Sequence, residues 1–479
     1  GKMKVVKLSA AQFDKFASTH RYRNYYQTSM YANVMVKFGY QAQFLGIVDD
    51  HNKLLGATLI IYKDVFLGNK IAYAPRGFLF DYEDVNSIKE LVDKLKKVLG
   101  KQGFMALRID PSIPLSIRDS DGSIMNLNNK GNTIIDNIQN AGFNYKGKTL
   151  FFETEKPRWE TLVLLQRDIR EIFAKLEKRT RNKIRRAINS GIEIIKDENN
   201  NVNKLYNFVE KKEKKPIAYY QTICKFFGNN VDVYYAKINT EKFLINSRRN
   251  YEKEVEYNDS LASRVQDTSL DEKERNSYIN KKMESDKLIT TYKNNLLKAT
   301  ELLKNNPKGV IIGGALVIKY DNAAYLFTEG IDESFNYLNC NYLIKWQLIT
   351  DYNDQGLKYV NFNGIVGEFE KQNPYSGINE AKLGFNSTVT EYIGEFDIIL
   401  NNFTYKWYQK TNKNRWFIMK KTDLFRQIGW SQELIEHFTI IEDSNNYSDE
   451  LISELPETFE AATTIIKYDV SAANTNITF

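Results

Sequence analysis

The chain contains 479 residues with a net charge of +7, and 42 % of them are hydrophobic. This length predicts two to four domains, and this hydrophobic content excludes a chain that is disordered throughout. Two cysteines, Cys224 and Cys340, are too few for a disulfide framework or a zinc cluster and favour a reducing compartment. Because the longest apolar runs are shorter than a membrane-spanning helix, we expect a cytoplasmic protein that contacts membranes only at their surface.

Residues 3–150 alternate short apolar runs with amphipathic stretches, which predicts an α/β or α+β unit. The runs at 44–48 and 54–62 flank a polar turn and predict a hairpin. Apolar residues at helical spacing predict a helix over 87–100, stopped by Gly100. The elements predicted further along this unit are a strand at 105–109 and a helix at 134–140.

A second unit of the same kind occupies residues 151–240 and resumes at 306–391. Its predicted strands are at 159–165, 192–195, 231–238, 310–319, 324–328 and 358–362, and its predicted helices at 168–189, 203–212, 219–227 and 337–355. Gly313 and Gly314, inside one of these strands, indicate a bulge or a close backbone approach. A strand at 395–400 is expected to return to the first unit. Residues 421–479 form an extension of unassigned role with one candidate helix at 432–438.

Residues 241–305 contain neither Pro nor Gly and are rich in charged side chains. Apolar residues recur at spacings of four and three on both sides of an interruption at 267–271, which predicts two antiparallel helices forming a coiled-coil arm. Each helix would run about 28 residues, or about 40 Å at 1.5 Å per residue. Such an arm either contacts a large partner or holds two domains apart, and the pattern favours neither.

The predicted strand at 358–362 is followed by a polar, glycine-marked loop, 363–381, which leads to Lys382. Loops at strand ends commonly carry the chemistry of α/β enzymes, and the Lys382 ammonium could stabilise an oxyanion. Taken alone, this residue is more typical of a surface lysine. Three acids at strand or turn ends are candidate general bases, although a turn or cap role is commoner for each: Asp81, Asp110 and Asp332.

Two basic segments could bind anions. Residues 178–186 place six basic side chains in nine positions, and their mutual repulsion favours a phosphate-binding face over an ordinary solvated helix. In the segment 211–220, Lys215 stands four residues before Tyr219, so the pair could contact a phosphate and a sugar or base. A solvated linker is an equally compatible interpretation of that segment.

The sequence contains no recognisable Ser-His-Asp or Cys-His set, no Walker loop and no G-x-G-x-x-G motif. Its three histidines are His20, His51 and His437. We therefore expect no metal, no cofactor and no histidine-based nucleophilic catalysis.

Seven stretches, in chain order, carry a resemblance to a known family. They are YAPRGFLFDY (73–82), LRIDP (107–111), KRTRNKIRRA (178–187), GGALVIKYDNAAYLFTEG (313–330), VNFNGIVG (360–367), GINEAKLGFN (377–386) and IGEFDIILN (393–401). Together they make the chain, over about residues 5–410, similar to the Fem family of peptidoglycan bridge aminoacyltransferases, which includes the FemX and MurM types.

The resemblance implies an α/β (α+β) fold of two GNAT-like domains with an inserted antiparallel coiled-coil arm. The first domain would comprise 3–150, completed by about 392–420. The second would comprise 151–240 and 306–391, with the arm at 241–305. The implied activity is tRNA-dependent transfer of an amino acid to the stem peptide of a lipid-linked or UDP-linked muropeptide, in interpeptide-bridge synthesis.

The resemblance also implies roles for individual residues. Lys382 corresponds to the lysine that stabilises the oxyanion. Lys215 and Tyr219 correspond to the pair that binds the muropeptide diphosphate, with Lys37 as a further phosphate contact because the expected lysine position is Met35. The remaining implied contacts are Arg76, Asn363 and Gly364 for substrate, and Lys178, Arg179, Arg181 and Arg185 for tRNA.

Two departures from the family pattern keep other functions open. Met35 replaces a phosphate-binding lysine, and Ala381 replaces the phenylalanine that usually precedes the catalytic lysine, as in a member that binds tRNA or precursor without catalysis. A CoA-dependent N-acyltransferase is the third hypothesis. It would need a glycine-rich pyrophosphate loop, and the sequence shows none.

Overall fold

The computed structural model describes residues 2–66, 68–370, 372–403 and 405. The predicted extension at 421–479, with its candidate helix at 432–438, lies outside these residues. The strands of the described part are β1 (Lys4–Lys7), β2 (Gln41–Val48), β3 (Leu54–Phe66), β4 (Asn69–Ala74), β5 (Phe104–Ile109), β6 (Pro114–Arg118), β7 (Ile124–Leu127), β8 (Asn144–Tyr145), β9 (Trp159–Leu164), β10 (Ile192–Asp197), β11 (Val231–Ile238), β12 (Val310–Tyr320), β13 (Ala323–Ile331), β14 (Tyr359–Gly364), β15 (Thr388–Tyr392) and β16 (Phe396–Ile399).

The same residues form α-helices that cover both sheets and build the arm. They are α1 (Ala10–Ala17), α2 (Ser29–Lys37), α3 (Val85–Lys101), α4 (Gly131–Asn140), α5 (Ile169–Ala174), α6 (Lys178–Asn189), α7 (Asn203–Glu213), α8 (Ile217–Phe227), α9 (Thr240–Val265), α10 (Glu272–Asn305), α11 (Cys340–Asp354) and α12 (Ser376–Leu383). Within the described ranges, no helix combines the length and the apolar character needed to cross a membrane.

The first sheet has the strand order β1-β2-β3-β4-β5-β16-β8. The predicted hairpin is confirmed, because β2 and β3 pair antiparallel across the polar turn. Helix α3 buries Ile88, Leu91, Leu95 and Leu99, the predicted apolar face. Its predicted end was wrong, since the helix passes through Gly100 to Lys101. The strand predicted at 395–400 is confirmed as β16, which pairs with β5.

The second sheet has the order β10-β11-β12-β13-β14-β9-β15-β6-β7. Strands β6 and β7 belong to it although both fall within 3–150, the range predicted for the first domain. These two strands join the second sheet because β15 pairs with β6. Ser116 and Arg118 of β6 also donate hydrogen bonds to the Glu391 carboxylate of β15. The chain therefore crosses between the sheets more often than its alternating pattern predicts.

The two glycines inside β12 mark a close backbone approach, as predicted. A Cβ on Gly313 would lie 3.1 Å from the carbonyl oxygen of Gly330. Gly330 itself has no room for a side chain, because its Cβ would lie 2.5 Å from the carbonyl oxygen of Phe208 on α7. The contact between Gly330 and Phe208 packs α7 closely onto β13, and both elements form a wall of the main cavity.

The predicted coiled-coil arm is confirmed. Helices α9 and α10 contact each other along their length, with Leu261 and Ala299 among the buried side chains. Asn258 reaches across the pair to donate hydrogen bonds to Ser285 and to Asp286. Helix α10 has 34 residues, or about 50 Å at 1.5 Å per residue, so it is longer than the sequence pattern predicts.

Two predicted segments differ from the structure. The helix predicted over 168–189 is two helices, α5 and α6. The Arg181 guanidinium donates hydrogen bonds to the carbonyls of Ala174 and Leu176, which satisfies the end of α5 and permits the break. The predicted loop 363–381 contains the start of α12, so Lys382 stands in the last turn of a short helix.

Candidate functional site

The main cavity has a volume of about 1210 Å³ and opens beside α7, α8, β13, β14 and α12. Its lining brings together six residues predicted from sequence, although up to 167 positions separate them along the chain. These six residues are Lys382, Lys215, Tyr219, Asn363, Gly364 and Asp332, the last a candidate general base. A further wall comes from the segment linking the two sheets, which includes Glu155 and Pro157.

The Lys382 ammonium is fixed at the carboxyl end of β14. Its Nζ donates a hydrogen bond of 2.8 Å to the carbonyl oxygen of Gly364. Gly364 has no space for a larger residue, because a Cβ there would lie 2.6 Å from the Pro157 ring. The strand end, the proline and the lysine therefore fit together without a gap, and the ammonium is held on the cavity wall.

A bulge sets the direction of this strand end. The register of β14 against β9 shifts between Asn361 and Asn363, and Asn363 has a φ of 73°, in the left-handed region. Asparagine tolerates that conformation better than most residues because its side chain bonds nearby backbone. Here the Asn363 side-chain oxygen accepts from the N–H of Gly364 at 2.9 Å. The bulge thus presents the Gly364 carbonyl to Lys382.

Lys215 and Tyr219 form a basic-aromatic pair on the same cavity. The Lys215 ammonium lies 5.2 Å from the centre of the Tyr219 ring, a cation–π geometry. The lysine is accessible from the cavity, yet the surrounding protein removes much of its water, and this desolvation lowers its pKa. Burial raises the pKa of the Tyr219 hydroxyl well above its usual value. Tyr219 therefore stays a neutral phenol that can donate to an anion bound beside Lys215.

Sequence reasoning missed a pair of oppositely charged residues in this cavity. Lys345 of α11 and Glu329 of β13 both line it, and Lys345 Nζ lies 2.7 Å from Glu329 Oε1. The Lys345 side chain is 2 % exposed and that of Glu329 is 17 % exposed. A signal was present, since Lys345 interrupts an otherwise largely apolar helix, 342–349. A charge there must be paired inside the protein or face a site.

Arg76 is not among the described residues that line the main cavity. Its guanidinium is buried and donates to the carbonyl of Pro157 at 2.7 Å and to Glu160 Oε2 at 3.1 Å. It also stacks over Tyr392 at 4.5 Å. Burial alone would lower its pKa, but Glu160 and Asp110 raise it, so the guanidinium remains charged. Arg76 joins a loop of the first sheet to β9 of the second.

Lys37 is the last residue of α2 and is exposed, and the structure does not bring it to the cavity. Among the described residues, α2 instead packs against α8, the helix that carries Tyr219. The phosphate contact predicted for Lys37 remains a prediction.

The basic helix α6 lies beside the helix that carries Lys382 rather than in the cavity. Arg179 forms an ion pair of 2.8 Å with Glu380, two residues before Lys382. The N–H of Glu177 donates to the Gly384 carbonyl at 3.0 Å, which fixes the start of α6 to the end of α12. The predicted tRNA contacts divide into two groups: Lys178, Arg179 and Arg185 are exposed, while Arg181 caps α5.

Comparison with known proteins agrees with this architecture. The FemAB family model matches residues 8–413. Aminoacyltransferase FemA of Staphylococcus aureus strain N315 is 23 % identical over 423 residues, which cover 86 % of this chain and 99 % of FemA. FemA of strain MW2 matches over the same shares. The crystal structure of FemX superposes with a TM-score of 0.61 at 18 % identity, covering 84 % of this chain and 99 % of FemX.

The family match and the FemA relatives identify an enzyme of the aminoacyltransferase class, and the chain belongs to the FemAB family. This confirms the predicted family and the predicted function class, an aminoacyltransferase of peptidoglycan interpeptide-bridge synthesis. The predicted fold class is confirmed as well, with two sheets in a mixed α/β structure and an inserted helical arm.

Proposed function

We propose that the protein transfers an amino acid from aminoacyl-tRNA to a free amine on the stem peptide of a lipid-linked or UDP-linked muropeptide, as one step of bridge synthesis. The observation that carries the proposal is the shared cavity. One wall holds the Lys382 ammonium, and another holds the basic-aromatic pair of Lys215 and Tyr219.

Lys382 would act on the donor ester. Attack of the acceptor amine on the ester carbonyl forms the C–N bond and a tetrahedral oxyanion. Collapse of this intermediate breaks the C–O bond to the tRNA ribose, and the ribose oxygen takes up the proton that the amine loses. A positioned ammonium stabilises the oxyanion more than the uncharged carbonyl, which lowers the barrier. The hydrogen bond to Gly364 orients Lys382 before substrate arrives.

Lys215 and Tyr219 would hold the diphosphate of the acceptor. Lys211 and Lys212 line the same side of the cavity and add positive charge. A diphosphate fixed there extends its attached sugar and peptide along the cavity, so the amine can meet the ester by positioning rather than by activation. A lipid-linked acceptor would bring the protein to the membrane surface.

The exposed cations of α6 would contact the tRNA backbone. They lie next to α12, so a tRNA bound across them would place its acceptor end near Lys382. Phosphate contacts by Lys and Arg supply most of the affinity in such complexes and make it sensitive to salt.

The test mixes the full chain with a charged total tRNA pool and either lipid-linked or UDP-linked muropeptide, and weighs the products by mass spectrometry. We expect a mass increase of one amino-acid residue. Lys382→Ala should reduce turnover on the order of 100-fold or more, because it removes the oxyanion stabiliser. Lys358→Ala is the matched control, because this exposed lysine directly precedes β14, at the end opposite Gly364.

Full turnover by Lys382→Ala would remove this residue from the mechanism. No product from any charged tRNA, together with tight binding of muropeptide, would show a binding protein instead. Binding of acetyl-CoA in a calorimeter would point to CoA-dependent N-acyl transfer.

A further inference from the structure

The Glu329–Lys345 pair has no part in the mechanism above, yet it lines the main cavity. Its two charges are 2.7 Å apart, and Lys345 is nearly sealed from solvent. Removing two charges from water has a large cost in free energy, and their mutual attraction offsets this only in part. A hydrophobic pair of similar size would stabilise the fold equally well. The presence of charges at these two positions therefore needs another explanation.

The carboxylate of Glu329 is a fixed negative charge rather than a base. Burial alone would raise its pKa, but Lys345 lowers it below the usual value, with smaller contributions from Lys382 and Lys212. A carboxylate with a lowered pKa is a poor proton acceptor. It also has about four lone-pair sites, and one ammonium does not use them all. Glu329 can therefore accept hydrogen bonds from a cationic group in the cavity.

The position of Glu329 relative to Lys382 indicates which cationic group of the substrates Glu329 could bind. The two side chains line the same cavity and influence each other electrostatically. In an aminoacyl ester, the α-ammonium is attached to the carbon next to the carbonyl. A group that binds the carbonyl oxygen and a group that binds the α-ammonium must therefore lie close together.

We propose that Glu329, held in place by Lys345, binds the α-ammonium group of the amino acid that is being transferred. This inference rests on the proposed function and adds a selectivity to it: the site accepts α-aminoacyl esters and rejects acyl esters that lack the charge. Lys382 and Glu329 would hold the donor at two points.

The acceptor amine is a less suitable ligand for this carboxylate. It must lose its proton to attack, and a neighbouring carboxylate favours the protonated ammonium. The donor α-ammonium, in contrast, forms no bond in the transfer and does not have to lose a proton. Its positive charge also draws electrons from the ester carbonyl, so a carboxylate that keeps it in place does not oppose the reaction.

The test compares two donors that differ by one charge. One is an aminoacyl-tRNA that the wild-type protein accepts, and the other is the 2-hydroxyacyl-tRNA made from it with nitrous acid, which replaces the ammonium by a hydroxyl of similar size. We expect the wild type to prefer the aminoacyl donor by about 100-fold in kcat/KM, since a binding site left unpaired discriminates strongly. Glu329→Gln should reduce that preference to below about 10-fold.

Two further variants separate recognition from structural damage. Glu329→Gln leaves Lys345 as a buried charge without a carboxylate, so the double variant Glu329→Gln/Lys345→Met is made as well, with folding followed by circular dichroism. It should show the same loss of preference. Glu333→Gln changes an exposed carboxylate on the same cavity and should keep the wild-type preference.

Equal use of both donors by the wild type would overturn the inference and leave the proposed function intact. The same holds if the double variant folds and keeps the full preference. Absence of transfer from every charged tRNA would refute the proposed function, and the inference with it.

Discussion

Replacement of Arg76 distinguishes a substrate contact from a structural bridge between the sheets. The resemblance to the Fem family implies a substrate contact, whereas the structure buries the guanidinium against Glu160, Pro157 and Tyr392. In Arg76→Met the side chain keeps most of its length but loses its charge and both hydrogen bonds. Glu160 is then left as a carboxylate that is 14 % exposed and has lost its cationic partner.

The expected loss of folding stability follows from the unpaired Glu160 carboxylate. Removing one partner of a buried ion pair costs about 3–5 kcal/mol, because the remaining charge is neither solvated nor paired. Glu160 keeps hydrogen bonds from Asn361 and from the Tyr392 hydroxyl, which places the expected loss near 3 kcal/mol, the lower end of this range. Arg76→Lys keeps the charge without the second donor and should lose about 1–2 kcal/mol.

The assay is urea unfolding of five proteins: wild type, Arg76→Met, Arg76→Lys, Glu160→Gln and the double variant Arg76→Met/Glu160→Gln. We expect the double variant to lose less free energy of unfolding than the sum of the two single losses, by about 1–3 kcal/mol, because no unpaired charge remains in it. An Arg76→Met protein with wild-type stability and a raised KM for muropeptide would refute the reasoning and support the substrate contact.

Two further predictions concern the elements around Lys382. Gly364→Ala should lower kcat by about tenfold or more, because its Cβ would press on Pro157 and displace the carbonyl that orients Lys382, an error on the scale of 1 Å. Gly377→Ala is its control and should be tolerated, since a Cβ there meets no atom within 4 Å; steady-state kinetics and thermal unfolding of both variants check this. Replacing Lys178, Arg179 and Arg185 together by Ala should weaken tRNA binding and reduce the slope of log Kd against log salt by up to about 3, measured by filter binding. An unchanged slope would place the tRNA elsewhere.

The helices, the arm and most strands follow from local patterns in the sequence, and the site follows only in part. Lys382, Lys215 and Tyr219 could be named because they stand in recognisable segments, and the fold then brings those segments to one cavity. The environment of Arg76 could not be predicted in the same way. Its partner Glu160 is 84 positions away, and nothing in either segment indicates that the two meet.

Contacts between distant segments also explain why the hairpin of β6 and β7 could not be predicted from the sequence. Local alternation identifies neither strand clearly, because β7 is exposed along its whole length and carries no buried face. Its place in the second sheet depends on β15, a strand more than 250 positions later. Pairing between distant strands is decided by tertiary contacts, which the alternation of apolar residues does not encode.

The charges around the cavity explain how a transferase of this kind can work with positioning groups alone. In the proposed transfer the aminoacyl ester is already activated, so the site would need to fix three charges: the oxyanion, the diphosphate and the α-ammonium. Lys382, Lys215 and Glu329 have the required signs and line the same cavity. Each is held by a contact that exists without substrate: the Gly364 carbonyl, the Tyr219 ring and the Lys345 ammonium. Groups oriented in advance need little reorganisation during the reaction, which is the condition under which electrostatic stabilisation contributes most to rate.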